Sequence, residues 1–245
     1  MSIVPRELVD RLMEAHGGRE RWRAVESIDF DLSSAGLAFS LHMQASALIG
    51  LRVRVFPHAR RVELLDYRQT GWRGVWTPDR VWQLDAAGAE IEGRAAPRAS
   101  FSRWSRQVRW DALDMLYFAG YALWNYLSFP FLLEAPGVAP LGVGGERDGA
   151  MRLDVAFAAG FPTHSAKQSF HVDAAGKLLR HDYTADVIGT WASAANFCLA
   201  SVQVEGLRFY TRRRVVPRLG ARTVLPGPTL VWIEIDNLRL NTRSI

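Results

Sequence analysis

The chain predicts a mainly β, α+β protein: a single antiparallel meander with a helix at its start and an apolar helix inserted in its middle. Three observations carry that expectation. Apolar residues recur at every second position over much of the 245 residues, which is the period of a half-buried strand. Turn chemistry separates these runs, as in Thr77-Pro78-Asp79 and in the Asp-Ala-Ala-Gly used twice, at Asp85 to Gly88 and Asp173 to Gly176. The alternation breaks once, between Leu113 and Leu133, where almost no polar face remains. At this length and 49% hydrophobic content, residues 1–245 are expected to bury one core as a single domain.

The first helix is expected from Pro5 to His16. Pro5 suits a first helical turn and Gly17-Gly18 a C-terminal stop. Leu8, Leu12 and Ala15, with Val9 and Met13, form its apolar face. A short helical turn follows from Arg19 to Val25, anchored by Trp22. From Ser27 the period becomes two: Ile28, Phe30 and Leu32 alternate with Asp29 and Asp31, and Leu37, Phe39, Leu41 and Met43 continue the pattern. Further strands are read at Ile49 to Phe56, Arg61 to Tyr67, Thr70 to Trp76, Arg80 to Leu84 and Glu90 to Arg94. Trp72 and Trp76 share a face, and Trp82 and Leu84 are expected to meet it across the hairpin, since opposite residues pair on one side.

The inserted helix has Asp111 as its expected N-cap and Asp114 in its first turn, where the helix dipole favours negative charge. It should run to about Leu127 and stop at Pro130. A helix apolar on every side must be buried in lipid, in a large core, or as the cover of a hydrophobic cavity. Asp114, Asn125 and Pro130 argue against a membrane span. Gly142 to Gly149 read as a flexible connection. Strands resume at Met151 to Phe157, Ala166 to Val172, Lys177 to Val187, Phe197 to Val204, Leu207 to Val216 and Leu230 to Leu240, about a dozen in all.

Composition removes several classes of function. The lone Cys198 excludes an internal disulfide, and no Cys-x-x-Cys pair offers thiolates to zinc. The first twenty residues carry charges throughout and lack the apolar run of a secretory leader, so a cytoplasmic location is expected. The net charge of +5 gathers in Arg19/Arg21/Arg23, Arg103/Arg106/Arg109 and Arg212/Arg213/Arg214, but Lys167 and Lys177 are the only lysines. That is a preference for arginine and not a phosphate groove, so nucleic acid is not an expected partner. No glycine-rich nucleotide loop precedes a helix, and no cofactor or metal is expected.

Several features together resemble the superfamily of bacterial lipoprotein carriers and receptors (LolA/LolB-like). They are Ala15-His16-Gly17-Gly18, Trp22, Val25-Glu26-Ser27, the continuous meander, the apolar insertion and the late Glu205-Gly206-Leu207-Arg208-Phe209-Tyr210-Thr211-Arg212. The likeness extends over nearly the whole chain. It implies a strongly curved, open antiparallel half-barrel, with helices covering an aromatic-lined concave face that holds an apolar or amphipathic small molecule. Within the superfamily, one enzyme turns over an indole intermediate without metal or cofactor, so a cofactor-free enzyme acting in the same cavity is the second expectation.

Candidate wall residues for an apolar ligand are Trp72, Trp76 and Trp82 from the sheet and Phe118, Tyr121, Trp124, Phe129 and Phe131 from the insertion. Arg213 lies on the opposite strand face from Arg212 and Arg214. If it points inward it would hold a ligand carboxylate or phosphate. His171 and His181 are the candidate acid–base pair, expected on one face of the hairpin around Asp173 to Gly176, with Ser169, Asp182 and Tyr183 nearby. A third expectation is docking, in which the apolar insertion meets a second copy or another protein.

Overall fold

The computed structural model describes residues 4–220 and 223–243. Helices α1 (Pro5–Ala15) and α2 (Arg19–Ala24) lead into β1 (Val25–Ala35), and α3 (Leu37–Leu41) separates it from β2 (Leu48–Phe56). Next come β3 (Arg61–Leu65), β4 (Arg73–Trp76), β5 (Arg80–Leu84) and β6 (Glu90–Ala95). Two 3-10 turns, Pro97–Ser102 and Trp104–Gln107, precede α4 (Ala112–Ser128), and a third, Phe131–Glu134, follows it. The second half of the meander is β7 (Val138–Gly145), β8 (Met151–Phe157), β9 (Lys167–Val172), β10 (Leu178–Thr184), β11 (Ser193–Val204), β12 (Leu207–Leu219), β13 (Thr223–Val224) and β14 (Val231–Thr242).

These strands form one antiparallel sheet in the order β6-β5-β4-β3-β2-β1-β14-β12-β11-β10-β9-β8-β7, with β13 attached to β12. The first and last strands therefore meet in the middle of the sheet. Its two edges, β6 and β7, are neighbours in sequence, and the segment joining them carries α4. From β5 to β12 is six strand steps, roughly 29 Å if the sheet were flat. Yet α4, about 10–12 Å across with its side chains, touches both β5 and β12 as well as β2, β3 and β4. The sheet must wrap around the helix, which makes it an open half-barrel with α4 along its concave side.

Every residue of α4 from Leu113 to Ser128 is buried. Its start is fixed by a capping box in which the Asp114 N–H donates to Asp111 Oδ1 (2.9 Å) and the Asp111 N–H to Asp114 Oδ2 (3.0 Å). Arg94 and Arg106 each bridge both carboxylates, at 2.7 to 2.9 Å. Burial pushes the Asp114 carboxyl up, with the neighbouring Asp111 adding to the rise. Asp111 is held down to about 2: burial opposes this, and the Arg94 guanidinium and the Asp114 N–H prevail.

The two sequence segments at the ends of the resemblance pack on each other. His16, fully buried at the end of α1, donates from Nδ1 to Leu12 O (2.7 Å), and its Nε2 meets Tyr210 Oη of β12 at 2.9 Å. Since Nδ1 carries the proton, Tyr210 must donate, and its oxygen in turn accepts the Leu178 N–H of β10 (2.5 Å). Gly17 sits at φ +106°, and a Cβ there would lie 2.2 Å from Gly206 O, so this contact needs a bare backbone at Gly17.

Two expectations about elements are corrected. Leu37 to Met43 do not extend a strand. Gly36, at φ +147° with a built Cβ only 2.3 Å from Leu230 O, turns the chain into α3. Ala38, Phe39 and His42 then face inward, while Leu41 and Met43 are exposed. Gly142, Gly144 and Gly145 are not a loop. They lie in β7, paired with β8 from Val138↔Phe157 to Gly145↔Met151, as an edge strand poor in side chains.

Candidate functional site

The concave interior has an apolar part and a polar part. The apolar part is a half-open cleft of about 30 Å³ between α4 and the β1, β2, β12 and β14 wall. Leu32, Phe39, Leu123, Val215 and Ile233 supply its greasy surface, and Tyr126 and Tyr183 border it. By the usual measure this space holds about two waters, so most of the concave volume is filled by α4 itself. The inward positions of the strands explain the lining: Leu32 faces Leu51 on one side and Ile235 on the other, and Ser34 faces Ile233.

The polar part lies behind Tyr126. His164 is fully buried, with Nδ1 3.1 Å from Tyr121 Oη and Nε2 2.9 Å from Tyr126 Oη. Tyr126 Oη also meets Tyr183 Oη at 3.1 Å, and the Tyr183 ring stacks on His164 at 3.7 Å. Burial, aided by the Arg98 and Arg213 charges, pushes His164 down to about 3. His181, whose Nε2 is 2.6 Å from Gln168 Oε1, is driven well below the ordinary imidazole value, by burial first. The Tyr126 and Tyr183 phenols are raised by burial. All four groups are neutral at pH 7, and Arg213 is the charge among them. Its guanidinium lies 4.4 Å from the Tyr126 ring centroid and 5.5 Å from that of Tyr210.

No protein-family model matches the sequence, and no curated protein matches it. Among solved structures, a LolA superfamily protein from Nitrosomonas europaea superposes with a TM-score of 0.53 over 99% of this chain and 96% of that chain, at 9% identity. The chain has a LolA-like fold. A DUF1329 family protein from Desulfovibrio piger aligns over 97% of this chain and 92% of that chain, at 13% identity and a TM-score of 0.49.

Within the LolA-like interior the expected wall residues separate. Phe118 lines the cleft. Phe129 and Arg213 line a second, smaller cavity of about 10 Å³ beside His181. Tyr121 is committed to His164. Trp76 is fully buried against Gly120 of α4, and Trp124 donates from Nε1 to Pro57 O (2.9 Å). Phe131 stacks on Trp22 at 4.5 Å. Trp72 lies ahead of β4 and is only half-buried. The face expected for Trp82 is corrected: the β4–β5 register sets Trp76 opposite Val81 and Trp82 opposite Val75. Trp82 is therefore on the outer face, flanked by the Arg80 and Arg61 guanidiniums.

The histidine pairing is corrected as well. The β9–β10 register shifts between Leu178 and Arg180, setting Arg180 opposite His171 and Phe170 opposite His181. A one-residue bulge moves one strand's side chains to the other face, so His181 points inward and His171 outward. His171 lies in an outer groove of about 660 Å³, with Nδ1 2.8 Å from Glu146 and Nε2 3.0 Å from Asp182. Arg180 and Arg218 also hold Asp182, at 2.9 and 3.0 Å. Although burial favours its neutral form, His171 and these guanidiniums keep the Asp182 carboxyl low. With Arg180 Nη2 also 3.0 Å from Nε2, both ring nitrogens of His171 are engaged by groups of the protein itself. The residue that sequence reasoning missed is His164, isolated in an irregular segment with no periodicity to assign its direction.

No helix among the described residues is long and apolar enough to cross a membrane, and none of their His, Cys, Asp and Glu side chains cluster as a metal site.

Proposed function

We propose that the protein binds or carries an apolar or amphipathic small molecule between the curved sheet and α4. The observation that carries this reading is the half-open cleft walled by Leu32, Phe39, Leu123, Val215 and Ile233 on the concave side of a LolA-like fold. Such a ligand is held by area removed from water, at roughly 25 cal/mol per Å², and needs no ion pair along its chain. Because the cleft is small, binding displaces packed side chains, so association is slow compared with a preformed pocket.

The test is titration with a fluorescent fatty-acid probe, beside native mass spectrometry of the purified protein and its organic extract. We expect one site per chain. Ala122→Phe, which fills the cleft, should weaken it, and Trp82→Ala on the outer face should not. A protein that yields no bound mass and fails to take up the probe would overturn the reading.

A further inference from the structure

Arg213 is 2% exposed and lies on the inner face of β12, opposite Cys198 and Ile233. Its neighbours turn outward, Arg212 to Glu234 and Arg214 to Thr229 Oγ1 and Pro226 O. Arg213 itself has no carboxylate partner among the described residues. Nη1 donates to Cys198 Sγ at 3.2 Å, and Nε is buried with no acceptor at all. A buried charge is costly unless it is paired and hydrogen-bonded, and two tyrosine faces offset only part of that cost. No neighbouring group supplies the missing anion. The Cys198 thiol is raised by burial, and the phenols and imidazoles around it are neutral. Asn196, on the adjacent strand and fully buried, also leaves both amide atoms without a partner.

We propose that Arg213, with Asn196 and the Tyr126 hydroxyl, receives the anionic headgroup of an amphipathic ligand whose apolar chain lies in the cleft. This rests on the function proposed above and narrows its ligand to a carboxylate or phosphate amphiphile. The geometry favours such a path. The small cavity at Arg213 and the cleft are separate, but Tyr126 borders both, so movement of that one ring joins a charged end to an apolar channel. An orphan Nε beside Nη2 is the fork that grips two oxygens of an oxyanion.

The experiment compares decanoate, decyl phosphate and decan-1-ol by calorimetry on the full chain and on Arg213→Gln. A charge-assisted contact made in a dry site is worth about tenfold or more in affinity. We therefore expect at least one anion to bind about tenfold tighter than the alcohol, and that preference to vanish in Arg213→Gln. Melting without ligand separates this from a purely structural role. Removing an unpaired buried charge should leave the Arg213→Gln midpoint unchanged or higher, whereas a structural arginine would lower it. If all three amphiphiles bind equally and the variant changes nothing, the headgroup assignment fails while the apolar site survives. If none binds, both fail.

Discussion

Single side chains decide how closely the helix approaches the sheet. A Cβ built on Gly120 of α4 would lie 2.2 to 2.7 Å from three atoms of Trp76. Gly120→Ala therefore gains helix propensity but overpacks, and is expected to cost about 1–3 kcal/mol. Chemical denaturation should detect this, with a smaller loss when Trp76→Leu is combined with it. Tyr210→Phe removes the hydroxyl that joins His16 to the Leu178 N–H, leaving a buried donor unpaired, and should cost about 1–3 kcal/mol in the same assay. The sequence disclosed that Trp76 belongs to a strand but not which face it takes. Whether Trp82 or Val81 stands opposite it depends on a one-residue choice in the turn after Trp76, and no period-two pattern contains that information.

At the scale of elements, α4 was legible because its signals agree: an Asp cap, an unbroken apolar run and Pro130 at its end. The arginines that hold its N-terminus were not. Arg94 comes from the edge strand β6 and Arg106 from a 3-10 turn, positions that the sequence alone does not bring together. Asp114→Ala leaves two guanidiniums facing one carboxylate and should destabilise the fold by about 3–5 kcal/mol. Hydrogen exchange should locate the loss in residues 97–128, and unchanged protection there would contradict the role given to this cluster. β7 and α3 escaped for opposite reasons. The glycines of β7 carry no hydrophobic signal, whereas Leu37, Phe39, Leu41 and Met43 imitate a strand until Gly36 turns the chain.

For the whole molecule, three buried neutral histidines set the response to acid. His16 is pushed down to about 4, by burial first, His164 to about 3, and His181 well below its ordinary value. An unfolded histidine titrates near 6.5, so below that pH the unfolded chain binds protons that the native state refuses. The associated stability is fully present above about pH 6.5 and is lost as pH falls toward about 4, at roughly 1.4 kcal/mol per pH unit for each histidine. A series of melting curves from pH 8 to pH 4.5 should be flat at first and then fall steeply. A midpoint constant across that window would refute the assignment.

The pairing of β1 with β14 also governs when the molecule can form. Residues 25–35 cannot complete their ladder until residues 231–242 exist, so the longest loop in the fold must close before the two arms of the sheet become one. Such high contact order slows folding, and during synthesis the inner faces of both arms stay open to chaperones and to one another. A circular permutant that tethers the β14 end to the start of α1 and is cut between β6 and α4 makes that pairing local. It should fold faster than the parent chain while reaching the same native spectrum.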